Sequence, residues 1–259
     1  SEVLLAVKFR ERNKYGDWVG GPMYYIKNGL GKHWKWLGAL FCIFAALAAL
    51  GTGNAIQAGN IVGSINTVVR SFNPDFGGTD SLNLVLGIVL AVLSAVVLFG
   101  GIKRIGRVSE KLVPLMALLY VLLALGIIAI NVDAVPTVFA AIFEGAFKPS
   151  AVTGGIVGSF FMSMKKGVSR GIFSNEAGLG TGSIAHACAD TREPIQQGMF
   201  GIFEVFMDTI VICTMTALVI LLSGVSVPYG QAAGAELTIS GFTAVYGNWV
   251  SIFTAVAMC

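Results

Sequence analysis

Apolar stretches long enough to cross a lipid bilayer recur along this sequence. Residues 83–101 form one of them and contain no charged side chain. A hydrocarbon core about 30 Å thick is crossed by roughly 20 apolar helical residues. Only 12% of the chain is charged, against about 25% in soluble domains. No stretch alternates with the period of two that outer-membrane strands show. The sequence therefore predicts an all-α, polytopic membrane protein.

We predict a single transmembrane domain in residues 1–259. Both ends of the chain are apolar. We therefore expect the chain to be an internal part of a longer protein and to lack the helices that precede and follow it there. The fourth predicted span is interrupted and the others are continuous. The spans are expected at about 36–69, 83–101, 112–131, 150–190, 197–223 and 237–259.

The positive charges follow the predicted topology. Of the 17 Lys and Arg residues, 15 fall in or at the edge of residues 10–35, 102–111 and 165–196, and only Arg70 and Lys148 fall elsewhere. Cytoplasmic loops carry an excess of Lys and Arg, so these three stretches are predicted to be cytoplasmic. Topology explains the basic residues, and no nucleic-acid partner is expected.

Within the predicted fourth span, the stretch Gly154–Asp190 does not have the pattern of a simple membrane helix. Its apolar part stops too early to cross a bilayer, and a run rich in Gly, Ser, Ala and Thr follows three basic residues. Broken backbone at membrane depth is expected where it lines a cavity, and such helices hold substrate and coupling ion in secondary transporters. A short helix followed by a Gly-rich cytoplasmic loop fits the local pattern equally well.

Two acidic residues, Glu204 and Asp208, lie four positions apart in an apolar span and hence on one helical face. Carboxylates inside a membrane helix are costly and mark function by default. A bound cation or a shared proton would offset their repulsion. A cytoplasmic gate, or structural pairing with Arg170 or Arg192, is the alternative.

The first full span places amide and hydroxyl groups on one face, at Gln57, Asn60 and Ser64. Helix packing explains Asn60 and Ser64 best, because small polar residues hold membrane helices together. The amide of Gln57 can both donate and accept hydrogen bonds, which suits a zwitterionic ligand.

Other polar residues receive structural interpretations. Ser174 is predicted to cap a helix whose first turn contains Glu176. The histidines, His33 and His186, have no partner at a metal-ligand spacing. The sequence contains no nucleophile motif, phosphate-binding loop or nicotinamide fingerprint. We therefore expect no enzymatic activity, no metal site and no cofactor.

Five ordered motifs resemble the alanine or glycine:cation symporter family, the sodium-coupled amino-acid carriers of bacteria and archaea. The resemblance covers essentially the whole chain. The motifs are GGPMYYIKNGLG, GTGNAIQAGNIVG, GIKRIGRVSEKLVPLMA, RGIFSNEAGLGTGSIAHA and FEVFMDTIVICTMTALVILLSG.

The resemblance implies a LeuT-like fold of five plus five inverted-repeat helices with an eleventh appended. This chain would cover the end of helix 2 and helices 3–8. It would lack the first broken helix and the later half of the sodium site. The implied partners are alanine or glycine, Na⁺ as the coupling ion, and the lipid bilayer of the plasma membrane.

Family roles carried over by position imply that Gln57 reaches the substrate from helix 3. They also imply that the break in helix 6 supplies backbone groups and an aromatic cover. The residues of that break are Gly154, Gly155, Gly158, Ser159 and Phe160.

Two alternatives remain open at this point. A proton-coupled amino-acid carrier would use Glu204 or Asp208 as the titrating group. A channel or a structural membrane subunit would also fit the hydropathy. The polar residues cluster near a helix break and near Gln57 rather than forming one continuous stripe, which disfavours a channel.

Overall fold

The computed structural model describes residues 1–73, 75–147, 156–176, 178–227 and 234–258, and the chain is 81% helical. The protein is thus all-α, as the hydropathy predicts. The helices are α1 (Glu2–Lys8), α2 (Pro22–Gly29), α3 (Lys35–Ala48), α4 (Asn54–Phe72), α5 (Thr79–Leu98), α6 (Gly101–Ile130), α7 (Val135–Phe147), α8 (Ile156–Asn175), α9 (Thr181–Ala187), α10 (Pro194–Val205), α11 (Cys213–Leu222), α12 (Ala235–Tyr246) and α13 (Trp249–Met258).

Four helical stretches among the described residues are long and apolar enough to cross a membrane: Lys32–Phe72, Thr79–Leu98, Arg104–Ile130 and Pro194–Leu222. Two of them contain a π-helical segment. One π segment, Ala49–Gly53, joins α3 to α4, and the other, Phe206–Ile212, joins α10 to α11.

The chain forms two compact units. Unit 1 consists of Ser1–Leu50 and Gly145–Cys213, and unit 2 consists of Gly51–Glu144 and Thr214–Cys259. In unit 1, α1 packs against α9 and α10, and α2 packs against α3. Unit 1 also holds a short antiparallel hairpin, β1 (Glu11–Arg12) and β2 (Trp18–Val19).

Glycine allows α1 to lie very close to α10. A Cβ atom at Gly201 would lie 2.9 Å from Cγ2 of Val3, closer than real side chains approach, while one at Gly198 would lie 3.6 Å from Cβ of Leu4. Small residues at such faces let membrane helices come together where lipid offers no hydrophobic driving force.

The core of unit 2 lies where α12 meets α6 and α11. Phe242 is fully buried and meets Tyr120 edge to face, with ring centroids 5.5 Å apart. Tyr120 and Thr216 share a hydrogen bond of 2.5 Å between their hydroxyl oxygens. The hydroxyl of Tyr246 donates to the carbonyl oxygen of Leu123 at 2.9 Å. Each of these rings thus has apolar contacts or a hydrogen-bond partner for its hydroxyl group.

The structure differs from the sequence interpretation in three places. The basic stretch 102–111 is the first part of α6 rather than a loop, and Pro114 lies inside that helix. Residues 135–147, predicted as an external loop, form α7. The predicted last span is divided into α12 and α13 at Gly247, whose φ of +85° favours glycine and ends α12.

Asn73, in the loop before α5, and Lys103, in the first turn of α6, are expected to be accessible from opposite sides of the membrane. The charge distribution places Asn73 outside the cell and Lys103 in the cytoplasm. Single cysteines at these positions, labelled in intact cells with a membrane-impermeant maleimide, should react only at position 73. Labelling of both from the same side would contradict the predicted topology.

Candidate functional site

The amide face of α4 is open where it follows the π segment. Gln57 and Asn60 are exposed, and the Gln57 side chain has no hydrogen-bond partner among the described residues. The π segment Ala49–Gly53 ends one turn before Gln57. π insertions are rare and often mark functional sites. The residue predicted from sequence to bind a ligand is therefore unsatisfied by the described protein and available.

The same face of α4 is buried one turn beyond Asn60. Ser64 is fully buried and its hydroxyl lacks a protein partner. At this level α4 packs against α12 and α13. Gly63 leaves room for the carboxylate of Glu236, whose Oε1 would lie 3.0 Å from a Cβ at position 63. Ser64 is therefore packed between helices, as the sequence favoured, whereas Gln57 is not.

The predicted break in helix 6 falls only partly on described residues. Gly154 and Gly155 lie outside them. Gly158, Ser159 and Phe160 are helical, because α8 begins at Ile156, so their assignment to an unwound segment is wrong.

Asp208 lies in the second π segment, Phe206–Ile212, and is exposed. Its Oδ2 accepts a hydrogen bond of 2.7 Å from Oγ of Ser174, on α8. The same hydroxyl lies 3.4 Å from Oγ1 of Thr209 and 3.5 Å from Sγ of Cys213. The partner of Asp208 is thus a hydroxyl group, and neither Arg170 nor Arg192 pairs with it in the described structure. A carboxylate oxygen is a ligand that hard cations prefer.

Glu204 pairs with a histidine rather than an arginine. Its Oε2 lies 2.6 Å from Nε2 of His186, on α9. The side-chain amide of Gln197 donates to Nδ1 of His186 at 2.8 Å. Since Nδ1 accepts, the proton of the neutral ring is on Nε2 and points to the carboxylate. The Glu204 side chain is 66% exposed, so the pair contributes at most about 1 kcal/mol to stability. Its main effect is to join α9 to α10.

Sequence reasoning missed His186. The imidazole and the Glu204 carboxylate are 18 positions apart on different helices, and no local spacing connects them. The only available signal was that a histidine occurs inside the motif GSIAHA.

The predicted helix cap at Ser174 is wrong. α8 continues through Asn175, and the next helix, α9, begins at Thr181. Glu176 lies between them with a φ of +53°, a left-handed conformation that is strained for this residue. Its Oε2 accepts a hydrogen bond of 2.6 Å from the hydroxyl of Thr181. Glu176 thus fixes the start of α9 instead of the first turn of a helix capped by Ser174.

Two cavities among the described residues are lined by residues other than the predicted ligand residues. A shallow groove of about 470 Å³ follows one face of α8, between Met164 and Ile172. A second cavity, of about 380 Å³, lies at the start of α10 between Asp190 and Phe200. The described residues also contain no group of three His, Cys, Asp or Glu side chains arranged to hold a metal ion.

Two apolar helical stretches with π-helical segments carry an amide without a partner among the described residues and two carboxylates, a pattern that fits a membrane transporter. The sequence profile of the sodium:alanine symporter family matches residues 1–259. The chain belongs to this family.

Curated relatives cover nearly all of the chain. An uncharacterized transporter of Haemophilus influenzae is 42% identical over 96% of this chain and 52% of its own length. The sodium/alanine symporter AgcS of Methanococcus maripaludis is 40% identical over 95% of the chain and 52% of its length. The amino-acid carrier protein AlsT of Bacillus subtilis is 39% identical over 93% and 48%. The chain thus spans about half the length of these relatives. No solved structure matches it.

Proposed function

We propose that the protein is a sodium-coupled symporter for alanine, glycine or a similarly small amino acid in the plasma membrane. Family membership over the whole chain supports this proposal. The similarity to a relative named as a sodium/alanine symporter supports it further. The proposal includes the five-plus-five inverted-repeat fold, multiple membrane spans, Na⁺ as the coupling ion, no cofactor and no chemical conversion of the substrate.

The exposed, unpartnered amide of Gln57 is the observation that carries a binding role for this chain. Polar groups in a membrane protein interior are normally paired, because an unpaired amide away from water is costly. A ligand with both an ammonium and a carboxylate group can satisfy the acceptor and the donors of the amide together.

Gradient-driven uptake tests the proposed function. The full-length protein is reconstituted in proteoliposomes, and labelled alanine is supplied with an inward sodium gradient or with the same concentration of sodium on both sides. We expect accumulation above equilibrium only with the gradient. Equal accumulation under both conditions would contradict sodium coupling.

Asp208 is proposed to contribute to the cation site. The variant Asp208→Asn keeps an acceptor for Ser174 but removes the negative charge. We expect the sodium concentration for half-maximal uptake to rise about tenfold, equivalent to about 1.4 kcal/mol. Ser174→Ala is the matched control, because it removes the hydrogen bond of 2.7 Å and keeps the charge, and a change below threefold is expected. An unaltered sodium dependence in a folded Asp208→Asn protein would exclude Asp208 from the cation site.

A proton-coupled carrier is the second candidate, favoured by the short contact between Glu204 and His186. Both groups can exchange a proton, and carboxylate and histidine residues form proton relays in transporters. Alanine uptake driven by an inward proton gradient in the absence of sodium would support this candidate. Its loss in Glu204→Gln would assign the proton to the pair.

A further inference from the structure

Arg10 connects the segment between α1 and β1 to the end of α9. Its Nη1 donates to the carbonyl oxygens of Ala187 at 3.0 Å and Ala189 at 2.6 Å, and its Nη2 donates to the carbonyl oxygen of Thr191. All three residues lie at or just after the C-terminus of α9. Carbonyl groups at a helix end lack partners within the helix, and a cation there is favourable to the helix dipole.

The β hairpin covers the guanidinium group. Trp18 pairs with Arg12 across the hairpin, and the guanidinium carbon of Arg10 lies 4.0 Å from the centroid of the Trp18 ring. Arg12 lies over the same ring at 4.6 Å. Burial lowers the pKa of Arg10, and nearby Asp190 and Cys188 act in the opposite direction. Arginine remains charged in proteins, so the three carbonyl groups face a cation.

Close packing adds to these hydrogen bonds. A Cβ at Gly20 would lie 2.5 Å from Cβ of Ala187, and one at Gly21 would lie 2.5 Å from Cγ1 of Ile184. No side chain therefore fits between the end of the hairpin and α9. The motif GGPMYYIKNGLG, which the proposed binding site does not use, begins with these two glycines and so forms this contact.

From α9 the contact extends to α10. His186 of α9 binds Glu204, and the amide of Glu193, which precedes α10, donates to Oγ1 of Thr191 at 3.3 Å. Arg10 thus holds both the end of α9 and the turn from which α10 starts. Glu204 lies on α10, and Asp208 lies in the π segment that continues it.

We propose that Arg10 is a positioning residue for transport: through the carbonyl groups after α9 it sets the position of α10 and of its carboxylates. Arg10 itself does not touch substrate or ion. The inference rests on the proposed function, because it assigns α10 a part in the transport cycle. It predicts an effect on turnover rather than on the affinity for alanine.

The chain provides a matched control and a native reporter. Arg12→Ala removes the other guanidinium on Trp18, and Arg12 forms no hydrogen bond through its side chain with the described residues. Cys188 lies between two residues that Arg10 holds. It is half-buried, and burial raises the pKa of its thiol, so alkylation is expected to be slow. All other cysteines of the full-length protein, including Cys42, Cys213 and Cys259, are replaced by serine or alanine in all variants.

The experiment measures uptake kinetics and Cys188 alkylation for Arg10→Ala, Arg10→Lys and Arg12→Ala in the full-length protein. Lysine keeps the charge but lacks the planar fork that can reach several carbonyls. For both Arg10 variants we expect alkylation about tenfold faster and turnover at least fivefold lower per folded molecule, with KM for alanine changed less than twofold. Arg12→Ala should match the parent protein in each measurement.

Several outcomes would overturn the proposal. Unchanged turnover or unchanged alkylation in a folded Arg10 variant would do so. Failure of both Arg10 variants to fold, beside a folded Arg12→Ala, would leave Arg10 with a folding role alone. If the parent protein did not take up alanine while both Arg10 variants accelerated alkylation, the proposed function would fail, and the contact from Arg10 to α9 would stand without a role in alanine transport.

Discussion

Replacing Gln57 by leucine is expected to weaken alanine affinity by roughly tenfold to a hundredfold while leaving expression intact. The variant removes a hydrogen bond to a charged ligand, worth about 1.5 to 3 kcal/mol. Folding should tolerate the change, because the Gln57 side chain is exposed and makes no hydrogen bond to the described residues. Leucine has a similar volume and a similar helix propensity.

The comparison requires a variant on the same helix that does not face a ligand. Ser64→Ala serves this purpose, because Ser64 is fully buried where α4 packs against other helices. Its alanine affinity should remain within twofold of the parent protein. Isothermal titration with purified full-length protein in sodium buffer measures both variants. Equal affinities for Gln57→Leu and Ser64→Ala would assign Gln57 to packing.

Shortening Phe160 to leucine is expected to change substrate selectivity by roughly five- to a hundredfold. The family resemblance implies that the ring covers a small substrate, and extra methylene groups in a close-packed site cost about 1 to 3 kcal/mol. Removing ring volume should lower alanine affinity and relatively improve valine or leucine. Competition of these amino acids against labelled alanine, in parent and variant, measures the effect.

Phe161 provides the control for this experiment. It is the next residue of α8, about 100° around the helix, and its side chain is exposed. Phe161→Leu should keep the selectivity order of the parent protein. An unaltered order in a folded, active Phe160→Leu protein would show that another part of the transporter sets substrate size.

Hydropathy predicted the helical class, because a long apolar run has few alternatives in lipid. It did not predict that residues 102–111 are helical, since charge was taken to mark a loop. A helix that carries basic side chains can extend beyond the bilayer into water. α6 has 30 residues, more than a membrane span requires. Gly247 ends α12 through its left-handed φ, and a single glycine in an apolar run does not reveal that in advance.

Gln57 was singled out from sequence because an amide in an apolar helix is conspicuous. Its role as a ligand residue stays a prediction. The partners of Glu204 and Asp208 were not predictable, because His186 and Ser174 come from other helices and pair through tertiary packing. The contacts of Arg10 were hidden for the same reason: its acceptors are backbone carbonyl groups about 180 positions away.

The entry of sodium driven by an alanine gradient tests symport most directly. Proteoliposomes containing the full-length protein hold equal sodium inside and outside, with labelled sodium outside and the membrane potential clamped at zero. An inward alanine gradient is then applied. Coupled transport predicts net entry of labelled sodium that rises and falls with the alanine gradient, and the effect should require alanine rather than a large amino acid such as tryptophan. Sodium entry that is unaffected by alanine, in vesicles that take up alanine, would contradict the account.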